Sequence, residues 1–122
     1  MLKRRRRKPE DLRPVKMLIE MHLEPLSTRG ESTTPGELYA ATGLHPAVRK
    51  DRQHLGRALR ELDSDRNANA LLPLCIWIGR TDKVPRMVRF VLVDLGYLGA
   101  NEPAGPVVAR WRDLSKQLSC PV

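Results

Sequence analysis

TPGELYAATGLHPAVRKDRQHLGRALREL, residues 34–62, is the stretch whose reading decides the fold. Thr34 is a good helix N-cap, Pro35 suits the first helical position, and Glu37 stands where a capping box places its acid. The short helix GELYAAT has Leu38, Ala41 and Leu44 as an inward side. Gly43 then supplies a turn with positive φ. A longer helix is predicted over 46–62, with Pro46 near its start. Leu55, Ala58, Leu59 and Leu62 recur at the i, i+3, i+4, i+7 spacing of a buried face. The other side carries Arg49, Arg52, Gln53, Gly56, Arg57 and Arg60. Between residues 45 and 60, five basic side chains face a single acid, Asp51.

Working outward, DLRPVKMLIEMHLE at 11–24 reads as a first helix, with Asp11 as cap and Pro14 in the first turn. Val15, Leu18, Ile19 and His22 fall at helical spacing, and Pro25 is expected to stop the helix. Residues 27–33 read as a polar loop. Helix, short capped helix, tight turn and basic helix, in that order, is the layout of a helix-turn-helix.

Beyond residue 62, DSDRNAN reads as a loop and residues 74–79 as a strand, followed by the turn GRTDKVP. Residues 87–95, MVRFVLVDL, fit two readings. Val84, Val88, Val91, Leu92 and Leu95 mark a helical face, with Asp82 as cap, whereas the β-branched content and alternation around Arg89 favour a strand. Taken as a strand, the segment closes a hairpin wing with Arg80, Lys83 and Arg86 at its tip; if residues 85–97 are helical, no wing forms. Residues 99–106 read as a linker. Residues 107–119 read as a last helix whose stripe Val107, Trp111, Leu114 and Leu118 covers the core or meets a second subunit. The expected fold class is therefore α+β and mostly helical: a winged helix-turn-helix over 11–98 with a C-terminal helix, preceded by a disordered basic arm at 1–10.

The 122 residues suit one domain, and 41% hydrophobic with 30% charged residues is ordinary globular composition. Six consecutive cations, Lys3, Arg4, Arg5, Arg6, Arg7 and Lys8, supply most of the formal net charge of +8. Such a run favours a polyanionic partner through charge attraction and counterion release. Few aromatic side chains are available, which argues against a stacking surface for single strands or RNA. Cys75, inside an apolar run, reads as a buried thiol, and Cys120 as an exposed one; a reducing compartment suits both. No secretory signal and no membrane-spanning run is read, which suits a cytoplasmic, nuclear or nucleoid-associated chain. His22, His45 and His54 lack metal-ligand spacing, and no phosphate loop or GxSxG occurs. The expectation is a protein that is not an enzyme and uses neither metal nor cofactor.

The stretch ELYAATGLHPAVRKDRQHLGRALREL resembles winged helix-turn-helix modules of phage and plasmid replication proteins. It looks in particular like the C-terminal domain of virulence-associated E-type primase-helicases. The matching residues are Leu38, Gly43, Leu44, Arg52, Gln53, Gly56, Leu59, Arg60 and Leu62. The resemblance implies that residues 49–60 face DNA.

The site expected from the residues themselves is a recognition helix carrying Arg49, Lys50, Arg52, Gln53, Arg57 and Arg60. It would be supported by Arg80, Lys83 and Arg86 and by the N-terminal arm, on double-stranded DNA. A regulatory, replication or architectural role follows, with a homodimer through residues 107–118. The alternative is a protein-binding adaptor or an assembly and packaging subunit whose arm holds nucleic acid non-specifically.

Overall fold

The structure, a computed structural model, describes residues 11–119. Among these residues there are five α-helices and no β-strand: α1 (Arg13–Arg29), α2 (Pro35–Thr42), α3 (Arg49–Ala68), α4 (Arg86–Asp94) and α5 (Ala104–Ser119). The expected α+β class and the winged helix-turn-helix are thereby corrected, because no hairpin wing exists for Arg80, Lys83 and Arg86 to tip. The arm at 1–10, with Lys3 to Lys8, and Cys120 lie outside the described residues. No helix among the described residues is long and apolar enough to cross a membrane.

α1 packs against α2, α3 and α5 and is the spine of the molecule. It buries Val15, Ile19 and Leu23. Asp11 accepts a hydrogen bond from the Arg13 backbone N–H at 3.1 Å. The helix runs through Pro25 rather than stopping there. Pro25 is exposed, and the helix closes one turn later, where Gly30 adopts φ 69°. Glu31 N–H then reaches Leu26 C=O (2.9 Å) and Gly30 N–H reaches Ser27 C=O (3.2 Å), satisfying the last carbonyls.

α2 forms as its sequence dictates. Thr34 Oγ1 accepts from Glu37 N–H at 3.1 Å, and Gly43 ends the helix at φ 73°. The Glu37 carboxylate does not return to the cap; it accepts from the Thr33 hydroxyl at 2.6 Å. Thr33 has one proton to give, so His22 Nε2, 2.9 Å away, is the donor in the next link. That chain ties α1 to the start of α2.

α3 buries Leu55, Ala58, Leu59 and Leu62, as the periodicity requires, but it continues through DSDRNA to Ala68. The residues read as a loop are drawn into helix by tertiary partners that outweigh their weak propensity. Asp65 and Glu61 hold Lys16 of α1 at 2.7 and 3.1 Å. Arg66 Nε donates to Leu72 C=O at 2.7 Å.

Asp63 is fully buried and accepts from the backbone N–H groups of Leu74 (2.7 Å) and Cys75 (3.0 Å). It thereby sets the path of residues 74–79, which form a single 3₁₀ turn, Cys75–Trp77, instead of the expected strand. Among the described residues, the one ladder-like contact this segment makes is an isolated parallel bridge between Thr33 and Ile78. Its backbone groups are satisfied one by one. Thr33 N–H donates to Trp77 C=O (2.8 Å) and Gly79 N–H to Thr33 C=O (2.7 Å). Arg112 of α5 donates to Ile76 C=O and Gly79 C=O, both at 2.6 Å, with its guanidinium 5.4 Å from the Trp77 ring centroid. Leu74 to Ile78 are all buried, so the segment sits where the helices converge. Burial pushes the Cys75 thiol well above its ordinary value, and the Asp63 charge adds to the shift. Cys75 is a free, unreactive core thiol.

Residues 87–94 belong to α4, with Leu95 closing it, which overturns the strand reading. Val88, Val91 and Leu92 of α4 are buried at i, i+3, i+4, whereas alternation would have buried every second residue. Arg80 closes on Asp82 in a two-pronged ion pair at 2.9 and 2.7 Å, so residues 79–85 are a turn into α4. The 99–102 turn is pinned to α4 by Arg89, which donates to Ala100 C=O (2.6 Å) and Glu102 C=O (2.8 Å). In α5, Val107 is in the core and Trp111 meets Tyr97 edge-on at 5.3 Å between centroids. Leu114 and Leu118 point outward, so the apolar stripe is divided between core and surface.

Candidate nucleic-acid interface

Arg49, Arg52, Gln53, Gly56 and Arg60 stand at helical intervals along α3 and form one stripe, flanked by Lys50 and Arg57. All the basic members are exposed. Three turns of continuous helix, anchored from behind by Leu55, Leu59 and Leu62, fix their spacing. The turn before α3 is locked to it: Asp51 accepts from His45 N–H (2.8 Å), and Arg52 donates to Pro46 C=O (2.9 Å).

The charges of this stripe differ in their commitments. Arg60 is paired with Asp94 of α4, which competes with an incoming anion. Arg52 spends one N–H on Pro46 and keeps the others. Arg49, Lys50, Gln53 and Arg57 form no side-chain hydrogen bond or ion pair among the described residues. Lys83 and Arg86 are exposed too, but they lie in the turn and at the first residue of α4, on no common hairpin. Arg80 is held by Asp82.

Arg52, Gln53, Gly56, Arg57 and Arg60 do not form a bare ridge. They line a cleft of ≈ 700 Å³, completed by Pro35 and Tyr39 of α2 and by Pro85, Arg86, Met87 and Phe90. Its interior is apolar and its charged lining is arginine alone. Phe90 is 59% exposed there, although its helix neighbours Val88, Val91 and Leu92 are buried. Tyr39 is buried, which raises its hydroxyl pKa and keeps the ring neutral. Gly56 sits in mid-helix with open space around it: a Cβ built there would meet nothing within 4 Å. Neither a sharp turn nor a close helix contact demands glycine at this position.

The sequence reading named the α3 members of this cleft and did not name Pro35, Tyr39, Pro85, Met87 or Phe90 as site residues. The signal for Phe90 was present in the helical reading of 87–95, where it falls outside the apolar face. Among the described residues, no group of three or more His, Cys, Asp or Glu side chains is placed to hold a metal ion.

Comparison with known protein families, with curated proteins and with solved structures finds no match for this chain. The resemblance of residues 37–62 to replication modules therefore rests on those residues alone.

Proposed function

We propose that the protein binds nucleic acid, using the basic stripe of α3 as its contact surface and the cations of residues 3–8 as a second attachment. One observation carries this reading. Arg13, Lys16, Arg29, Arg66, Arg89 and Arg112 are each engaged with a carboxylate or a carbonyl of the fold. Arg49, Lys50 and Arg57 are not, and they cluster on one helix. Cations left without internal partners on a rigid element are available to phosphates, where each contact releases bound counterions. The mechanism is positioning rather than chemistry. Phosphate contacts from the arginines set the register, and Gln53, exposed between them, reads base edges.

The test uses fluorescence anisotropy with mixed duplex DNA at low and near-physiological salt. It compares the full chain, a chain lacking residues 1–8, and Arg52→Ala/Arg57→Ala. Loss of binding in the double variant, with residual binding in the truncated chain, supports the reading. Removing two phosphate contacts should also lower the slope of log affinity against log salt by roughly two. Unchanged binding in the double variant, with loss on truncation, would reduce residues 3–8 to a generic anchor and favour an assembly subunit.

A further inference from the structure

We propose that the cleft between α2, α3 and α4 seats an unpaired base of a single-stranded nucleic acid, stacked on Phe90, with the arginine rim holding the flanking phosphates. This rests on the nucleic-acid reading above and assigns that site its substrate class. Three features of the cleft point the same way. First, its volume of ≈ 700 Å³ lies in the range of cavities that enclose small ligands, and its lining pairs apolar surface with Arg52, Arg57 and Arg86, and with Arg60, which Asp94 holds. A nucleotide has that same division, a flat apolar-faced base and an anionic backbone. Second, Phe90 is exposed and lies outside the buried face of α4, which Val88, Val91 and Leu92 form. An aromatic ring presented beside cations is the usual stacking platform for single strands, sequence-tolerant because every base has a π-face. Third, Gly56 leaves open space where any other residue would project a side chain into the lining.

Duplex DNA fits the same cleft poorly. Arg52, Gln53 and Gly56 share it with residues of α2 and α4, so these neighbours stand beside the middle of α3. A base in a duplex cannot enter without being unpaired and unstacked, whereas a single strand presents its bases unpaired. An acidic amphipathic peptide would also match an arginine-rimmed apolar groove, and the experiment includes it.

Anisotropy titrations of the full chain against oligothymidine of about ten nucleotides, oligouridine of the same length and a mixed duplex give the test. The full chain should bind the single strands more tightly than the duplex. Phe90→Ala should weaken single-strand binding about tenfold or more and leave duplex binding unchanged. Gly56→Leu, which fills the open space, should do the same. Phe90→Trp should keep the affinity, and its added fluorescence should be quenched on binding. The ratio of thymidine to uridine affinity assigns the strand as DNA or RNA, and Phe90-dependent binding of either supports the cleft. Thermal unfolding confirms that each variant is folded; Phe90 is exposed and Gly56 faces open space, so all three should be.

If Phe90→Ala and Gly56→Leu bind single strands normally while Arg52→Ala/Arg57→Ala does not, the cleft proposal falls and nucleic-acid binding by α3 stands. If the full chain binds no oligonucleotide, both readings fall. Phe90-dependent capture of a Glu-rich amphipathic peptide in the absence of oligonucleotide binding would replace both with a protein partner.

Discussion

Residues 74–79 and the α2–α3–α4 cleft both gather polar groups onto an apolar surface, yet they dispose of them in opposite ways. In the first, Asp63 and Arg112, two charged side chains from distant helices, turn inward and meet backbone N–H and C=O groups that no ladder satisfies. Burial raises the Asp63 carboxyl pKa, against the pull of the Leu74 and Cys75 groups that hydrogen-bond to it. In the second, Arg57 and Arg86 are exposed along the lining, and an aromatic ring, Phe90, remains exposed with them. Charge that serves folding is bonded within the chain; charge left over on a rigid frame is available to something outside it. The difference separates residues whose loss should unfold the protein from those whose loss should leave it folded and inactive.

The sharpest way to break this contrast is Asp63→Ala. It strands two buried backbone donors, each costing about 1–3 kcal/mol, against a total stability of about 5–15 kcal/mol for a domain of this kind. Urea unfolding should show a markedly lower midpoint, and a loss under about 1 kcal/mol would mean that Asp63 does not hold the segment. Arg112→Ala comes next, with an expected loss of about 1.5–3 kcal/mol, because charged donors to Ile76 and Gly79 disappear along with the contact to Trp77. The same measurement on Gly56→Ala should move the other way. With nothing within 4 Å of the new Cβ, the helix gains up to about 1 kcal/mol from propensity alone. A destabilised Gly56→Ala would show that glycine there serves the fold.

The smallest effect concerns Glu37. The Thr33 hydroxyl, followed by the Thr34 backbone, holds its carboxyl below the ordinary range. A depressed carboxyl pKa stabilises the fold above the unfolded-state value, and the contribution is lost as pH falls through the folded value. Wild type should therefore be slightly more stable than Glu37→Gln at neutral pH, and the gap should close on acidification. A gap that is independent of pH between neutrality and pH ~3 would rule out the carboxylate's role.

Local chemistry made α2 and the buried face of α3 legible: Thr34, Glu37 and Gly43 mark the ends of α2, and Leu55, Leu59 and Leu62 mark the inward side of α3, which begins at Arg49 rather than near Pro46. What could not be read depended on distant partners. DSDRNA is a poor helix until Lys16 and the 74–79 backbone arrive, and LLPLCIWIG has strand composition but finds no strand to pair with. At Pro25, an end signal was overruled by a stronger one at Gly30. At 87–95 both periods fitted, and β-branched content was the weaker guide. The site followed suit. Its arginines were visible as one face of one helix, but Phe90 joined them only once α4 was a helix packed beside α3.

The hydrogen bonds of residues 74–79 also order events in time. Their partners, Thr33, Asp63 and Arg112, lie far apart along the chain, so no short fragment can form the segment by itself. Loop-closure entropy must be met before any of these bonds is gained, which places the segment late in folding. On the same path in reverse, a segment completed late is among the first to be released, so the amides of Leu74 and Cys75, held by Asp63, and of Gly79, held by Thr33, should exchange with solvent ahead of those in the middle of α3.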